Sequence, residues 1–472
     1  MAETWANYGI DLHLDLTGSR VRSGLEGGLR DAVRSGRLRP GARLPSSRHL
    51  AADLRIARNT VADAYGQLIA EGWLESRTGS GTWVAERPAA GWTGGSGEHS
   101  GQVRPAVAGP AAPRYDLRAG VPAVLAFPRR EWLAAARAAL GAAGDEALGY
   151  PDPRGLGELR VALAGYLARA RGVVADPENV IVCAGFAHGL ALIGQVLRGR
   201  GAAAVAIEAY GHQLHRRIIE AQGLATVPLA VDAAGAMPDN LGRAGAVLLT
   251  PAHQYPLGMT LAPGRRTAFV RWAARSGGVV IEDDYDGEFR FDRQPVGAMQ
   301  ALAPDHVVYA GTASKSLAPG LRLGWLVVPA GMTSEVVTAQ ELSGGGNGTL
   351  DQLTLATLIG SGGYDRQIRQ ARLGYRRRRD RLVAALGARA PSVRLAGIAA
   401  GLHALAELPP QASEADAIAH AARRGVAIEG LGGYTAAGHE RGPALVVGYG
   451  RPAEHAFTAA VTRLAAALAE CT

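Results

Sequence analysis

Apolar residues follow two rhythms along this chain, and the change of rhythm divides it. From residue 21 to about 70 the spacing is helical. In GLEGGLRDAVRSGRL, Leu25, Leu29 and Val33 fall on one face. In PGARLPSSRHLAADL, Ser46 or Ser47 is placed to cap a second helix. After the break RIAR, the stretch NTVADAYGQLIAEGW turns Val61, Tyr65 and Leu68 inward on a third helix, with Arg58, Asn59 and Thr60 at its start. WLESRTGSGTWVAE then reads as a two-stranded hairpin turning at Thr78, Gly79, Ser80 and Gly81. From Tyr115 onward, helical segments alternate with short apolar runs: NVIVCAG, AAVAIEA, AGAVLLT, GGVVIEDD and DHVVYAGT. That alternation predicts an α/β fold with a mostly parallel sheet, whose functional residues gather where strands end.

Between the two patterns, residues 86–114 are rich in Gly, Ala, Pro and Ser and read as a flexible linker. The expected multidomain order is 1–85, the linker, and 115–472, the last with a large subdomain to about 350 and a smaller C-terminal one. At 472 residues the chain is too long for one ordinary domain. Hydrophobic residues at 47% and charged ones at 19% suit a large globular core. No apolar run reaches the roughly 18 residues of a membrane span. The opening MAETWANYGIDL lacks a signal-peptide pattern. Cys183 and Cys471 give neither a disulfide framework nor metal-ligand spacing. The expected address is a reducing cytoplasm. A net charge of +8 permits nucleic-acid binding without establishing it.

Lys315 is the only lysine; every other strongly basic residue is arginine. A coding bias toward Arg, Ala and Gly explains the scarcity, and makes the survivor informative. Arginine replaces lysine wherever positive charge suffices, but its guanidinium stays protonated and is no amine nucleophile. Lys315 is therefore the candidate for amine chemistry.

Helix, helix, turn, helix, hairpin is the order of a winged helix-turn-helix. Its third helix would enter the major groove by its N-terminal end, where Arg58, Asn59 and Thr60 suit base edges or phosphates. Ser46, Arg48 and the wing tip at Thr78, Gly79 and Ser80 are placed for backbone contacts. Pattern alone equally allows a small helical domain with solvated arginines. The stretch RLPSSRHLAADLRIARNTVADAYGQLIAEGWLESRTGSGTWVAE, however, resembles the GntR-type winged helix almost throughout. The resemblance implies a double-stranded DNA operator as partner. Ile56-Ala57 departs from the Gly-Val usual there, which predicts a tighter or shifted turn.

In GGVVIEDDYDGEFRF a buried strand ends in acidic residues. A carboxylate beside a pyridine nitrogen keeps that nitrogen protonated, and a tyrosine hydroxyl can bond the ring's phenolic oxygen. Asp283 and Tyr285 are the candidates, on one side of an extended chain. The alternatives are a surface acidic loop or a metal site from Glu282, Asp283, Asp284 and Asp286, disfavoured because no histidine is near in sequence. In VVYAGTASKSLAPGLRLGWLVV, Lys315 sits among the hydroxyls of Thr312, Ser314 and Ser316, and Arg322 can grip a phosphate in bidentate fashion. A lysine desolvated there can form a Schiff base; the alternative is an exposed loop lysine. In VIVCAGFAHGLALIG, amides near Phe186 and Ala187 after Gly185 can bind an anion at a helix N-terminus. In AIEAYGHQLHRR, Tyr210 could stack on a planar ring or pack in the core.

These segments resemble fold-type I aminotransferases, specifically the MocR/GabR branch, in which that domain follows a GntR-type winged helix. The most specific pieces are TPAHQYPLGMT, EDDYDGEFRF and GTASKSLAPGLRLGW. The resemblance implies pyridoxal 5'-phosphate joined to Lys315, Asp283 on the pyridine nitrogen and Tyr285 on the phenolic oxygen. It implies Thr312 and Arg322 on the phosphate, with the amides after Gly185. It also implies a head-to-tail homodimer in which Tyr150 reaches the neighbouring subunit's phosphate.

The chain departs from the pattern where aminotransferases hold a substrate carboxylate. Val446 stands where the family often has arginine, His212 where some members carry another, and Tyr255 where aminotransferases have asparagine. A missing arginine removes a charge-assisted pair of about 1.5–3 kcal/mol. Arg451, His212 or His253 are the candidate substitutes. These departures favour a regulator sensing an amine, an amino acid or pyridoxal phosphate itself. The alternative is a working aminotransferase with a fused DNA-binding domain. A DNA-binding protein with a dead domain is disfavoured, because the cofactor residues are present.

Overall fold

The structure is a computed structural model describing residues 21–77, 81–86, 113–239, 241–291, 296–344 and 346–471. The chain forms two compact units, Met1–Val107 and Ala108–Thr472. The division falls inside the Gly- and Pro-rich segment 86–114.

In the first unit, helices α1 (Val21–Arg34), α2 (Ser47–Leu54) and α3 (Arg58–Ala70) precede strands β1 (Leu74–Arg77) and β2 (Gly81–Val84). Leu25, Leu29, Leu50, Val61, Tyr65 and Leu68 share one core. Ala32, not Val33, completes the buried face of α1, and Val33 packs at its edge. Ser46 caps α2, its side chain accepting the His49 amide. The turn at Ile56-Ala57 is made by Arg55, which takes the left-handed conformation at φ 55° while its N–H bonds back to α2. Ala57 then starts α3 without a side-chain cap. The strands pair antiparallel from Leu74↔Val84 to Arg77↔Gly81. The expected turn residues Thr78, Gly79 and Ser80 lie outside the described residues.

The second unit is built on a seven-stranded sheet. Across it the strands run Val180–Cys183, Gly324–Val327, Val307–Thr312, Val279–Asp283, Ala246–Leu249, Ala204–Glu208 and Ala225–Leu229. All pairings are parallel except those of Gly324–Val327, which runs antiparallel to both neighbours. Period-two alternation sends Val205 and Ile207 to a core shared with the helix Phe186–Gly199, and Ala206 to the opposite core beside Phe269. A smaller four-stranded antiparallel sheet, Arg394–Ala396, His403–Glu407, Ala444–Gly448 and Glu429–Gly430, follows in the C-terminal part. Among the described residues no helix is long and apolar enough to cross a membrane.

Candidate functional site

Parallel strands leave their C-terminal ends on one edge of the sheet, and the principal cavity opens there. It holds about 240 Å³ and is lined by the ends of four strands, the start of the helix Phe186–Gly199 and the loop around Lys315.

Lys315 follows the strand Val307–Thr312 by three residues, and its Nζ donates to the carbonyl of Gly120 at 2.5 Å. Burial lowers its pKa, while Asp283 opposes that shift. Asp283 is the last residue of its strand and is buried; burial raises its carboxyl well above the usual range, and Lys315 pulls it back. Tyr285 lies two residues on, and its hydroxyl donates to the carbonyl of His253 at 3.1 Å. All three line the cavity, as do Thr312, Ser314, Arg322, Gly185, Phe186, Ala187 and Tyr210.

At the far end the elements form an anion cradle. Gly185 takes φ +90° immediately before the helix Phe186–Gly199, whose first-turn amides have no partner within their own helix. A Cβ on Gly185 would sit 3.6 Å from the Arg322 guanidinium, and one on Gly324 only 2.7 Å from the Cα of Gly185. Glycine therefore lets the strand, the turn and the arginine converge. Thr312 donates to the Ser314 hydroxyl at 2.8 Å and accepts the Ser314 amide at 3.1 Å. Arg322 itself is held at φ 53°, an uncommon conformation for a residue with a side chain.

The opposite wall is aromatic. The ring of His212 stacks on Tyr255 at 4.7 Å between centroids and 11° between planes. Tyr434 and His403 meet Tyr255 edge-on at 5.4 and 5.0 Å. Beneath them Val446 is fully buried in an apolar cluster with Tyr210, Tyr255, Leu405 and Tyr434. Burial pushes His212 down to about 4 and His215 to about 3, so both rings are neutral at pH 7. Tyr210 lies in this cluster with its hydroxyl turned to the carbonyl of His439.

The three expected carboxylate-gripping groups are placed differently. His212 is in the wall. His253 is not among the lining residues; it is buried behind Tyr285, with Nδ1 2.8 Å from Asp286. Arg451 borders a separate cavity on another side of Lys315, and Asp116 holds its Nη1 at 2.5 Å. Tyr150 is fully exposed and outside the cavity. In the first unit, Arg48, Arg58 and Asn59 are exposed, Thr60 is half-buried, and Ser46 is engaged in capping.

The acidic run does not converge on one point. Glu282 accepts the amides of Met299 and Gln300, Asp284 pairs with Arg171, and Asp286 faces His253. The expectation that no histidine lies near is corrected, because the loop at 250–260 folds His253 against Asp286, with His403 close by. Sequence reading also missed Glu208, which lines the cavity and is pushed up to about 7 by burial. Its Oε2 accepts the amide and hydroxyl of Thr250 and the side-chain amide of Gln254. The signal was present: AVAIE, like VVIED, is an apolar strand ending in a carboxylate.

A large domain with a lysine at the strand ends, following a winged helix, defines a class that comparison with known proteins identifies. Residues 116–437 match aminotransferase class I and II, and residues 22–84 match the bacterial regulatory proteins of the gntR family. The regulator YhdI of Bacillus subtilis is 33% identical, over 83% of this chain and 84% of its own. The pyridoxine biosynthesis transcriptional regulator PdxR of Corynebacterium glutamicum is 34% identical, over 80% and 81%. An archaeal alanine:glyoxylate aminotransferase shares the fold of the second unit, with a TM-score of 0.69 at 24% identity, over 76% of this chain and 91% of that one. The chain belongs to the MocR-type transcriptional regulators, with a GntR helix-turn-helix fused to an aminotransferase class I and II domain.

Proposed function

We propose that this protein binds a DNA operator through its first unit and pyridoxal 5'-phosphate through its second, and that pyridoxal phosphate itself is the signal. The observation that carries this reading is the cavity with Lys315 and Asp283 at its centre and the Gly185–Arg322 cradle at its end. Its residues fit the group: an amine for the aldehyde, a carboxylate for the pyridine nitrogen, and helix amides with a guanidinium for the phosphate. Lys315 would hold the group covalently, Asp283 would pair with the ring nitrogen, and Tyr285 with the phenolic oxygen. Thr312, Ser314, Arg322 and the amides of Phe186 and Ala187 would take the phosphate. His212 is the ring-stacking group in this reading, because its ring lines the cavity and is aligned by its stack on Tyr255. When bound, the cofactor supplies an electrophilic carbon and an electron-accepting ring.

The same wall argues for the signal. Val446, Tyr255, Tyr434 and His212 fill with apolar and neutral rings the place where an aminotransferase would grip a carboxylate. That favours the cofactor over an amino acid, and PdxR, a regulator of pyridoxine biosynthesis, is among the relatives. The active unit in this reading is a homodimer to which Tyr150 contributes from each chain. The domains are 1–85, a connector at 86–114, and 115–472. Pyridoxal phosphate must bind the two operator-related states with different affinity.

The test is a titration of the protein with pyridoxal phosphate, followed by visible absorbance and by affinity for a duplex enriched from a random-sequence pool. A band lost in Lys315→Ala, with altered duplex affinity in the wild type, is expected. A wild type without the band refutes cofactor binding. Steady amino-group transfer from an amino acid to a keto acid would favour the enzyme instead.

A further inference from the structure

Trp83 occupies the middle of three extended segments in the first unit. Across β1–β2 it faces Glu75, and on its other side it pairs with Arg43 as an isolated antiparallel bridge. Arg77 lies opposite Gly81, two residues from Trp83 along β2, and so on the same face of the sheet. Both guanidinium groups rest against the indole: Arg77 at 5.0 Å from its centroid and Arg43 at 5.8 Å. Gly81 takes φ +104°, a backbone conformation that favours glycine, and lies beside the Arg43 side chain.

The two arginines are exposed and weakly paired. Arg77 has Glu75 at 3.7 Å, with about half of each side chain in solvent; such a pair contributes at most about 1 kcal/mol. Arg43 has no carboxylate within ion-pair distance among the described residues. Stacking on an indole costs a guanidinium none of its hydrogen-bonding edge, and fixes it before any ligand arrives. Their two extended segments flank β2 and they are offset by two residues along it, so their backbones are about 12 Å apart.

We propose that Arg43 and Arg77, braced on either flank of Trp83, form a clamp for two backbone phosphates of duplex DNA. Guanidinium suits phosphate because its planar fork gives two parallel hydrogen bonds. The contact carries charge and register but no base sequence, and so complements the end of α3, where Arg58 and Asn59 are exposed. The proposal rests on the reading that the first unit binds DNA.

The experiment is the salt dependence of binding to a fluorescent 40-base-pair duplex of random sequence, about four helical turns, using the full chain. Each lost phosphate contact lowers the slope of log K against log salt by about 0.9. Arg43→Gln with Arg77→Gln should lower it by about 1.8 per bound chain, and weaken binding about sixtyfold at 0.1 M salt, taken from an unchanged affinity at about 1 M. Arg34→Gln is the control: Arg34 also rests on an indole, that of Trp73 at 5.2 Å, but lies at the end of α1. It should leave the slope within about 0.3 of wild type. Trp83→Leu keeps both charges and loses the brace; it should keep most of the slope and bind several-fold more weakly, while Trp83→Phe binds nearly as wild type. Thermal melts confirm that each variant is folded. An unchanged slope in the double arginine variant overturns the clamp, as does an equal fall in Arg34→Gln. A wild type that binds no duplex overturns the DNA reading first.

Discussion

His253 and Asp286 form a buried pair, Nδ1 to Oδ2 at 2.8 Å, directly behind the tyrosine that borders the cavity. A carboxylate only accepts, so Nδ1 carries the proton. Tyr285, also 3.1 Å from that nitrogen, must then give its hydroxyl proton to the His253 carbonyl. The pair thereby closes Nδ1 to the Tyr285 proton, which rests on the His253 carbonyl and is free to turn to a phenolic oxygen when one is bound. His253→Leu should weaken pyridoxal phosphate binding about tenfold, the equivalent of one hydrogen bond of roughly 1.4 kcal/mol, and move the absorbance maximum. His253→Asn, which retains a donor toward Asp286, should lose less. A leucine variant that titrates like wild type would show that Tyr285 needs no such support.

Val446→Arg tests whether the aromatic wall tolerates the arginine it lacks. The side chain would enter a cluster of Tyr210, Tyr255, Leu405 and Tyr434, where the carboxylate opposite it, Glu429, already accepts from the Tyr434 hydroxyl. Burying the guanidinium there should cost about 3–5 kcal/mol in urea unfolding, less what a pair with Glu429 returns. The variant should gain no spectral response to amino acids. A stable variant that responds to them would mean that the wall opens readily.

Arg171 and Asp284 are both almost fully buried, joined by two hydrogen bonds of 2.6 and 3.1 Å, and Tyr309 donates to the same carboxylate at 2.8 Å. Removing one partner strands the other charge. Arg171→Leu should destabilise the second unit by about 3–5 kcal/mol, with Asp284→Asn milder because the amide can still accept. Denaturant midpoints at constant m-value would measure this, and a loss below about 1 kcal/mol would contradict it.

Two buried carboxyls, on Glu208 and Glu282, are pushed up to about 7 by burial, from an ordinary 4.5, and the half-buried Glu288 is raised in the same direction. Between those pH values the folded chain holds protons that the unfolded chain has released. The stability these groups contribute is therefore fully present below pH 4.5 and falls as pH rises through 7. Below about pH 6.5 the buried rings of His212, His215 and His403, whose pKa values are lowered, act in the opposite sense, so the melting temperature of the ligand-free protein should fall from about pH 6.5 to 7.5. Relative to wild type, Glu208→Gln should gain up to about 3 kcal/mol between about pH 5 and 7.5. Glutamine can keep the three donors, because all of them reach one oxygen. A melting temperature that rises over this range would reject the assignment.

Much of the fold was legible because its signals are local. Three helical faces, a hairpin and five apolar strands can each be read within a dozen residues. The strand Ala225–Leu229 was missed because it lies at the sheet edge, carries Pro228 and lacks a clean alternation. Lys315 and Asp283 were legible from composition and motif. Their chemistry with Glu208 was not, since only the parallel sheet brings residues 208, 283 and 315 to one edge. Tyr210 and His212 show the limit most clearly. They are two residues apart, and only the path of the chain after the strand Ala204–Glu208 turns the Tyr210 hydroxyl to His439 and lays the His212 ring on Tyr255.

The solitary lysine also makes the protein its own reporter. Its Nζ, tied to Gly120, is the only side-chain amine that borohydride could fix to an aldehyde. Reductive trapping would mark one lysine peptide, told apart from the chain's α-amine by peptide mapping, and an amine-directed reagent would compete for that same side-chain atom. Occupancy of the cavity can therefore be counted on that one peptide, with no lysine elsewhere to blur the count.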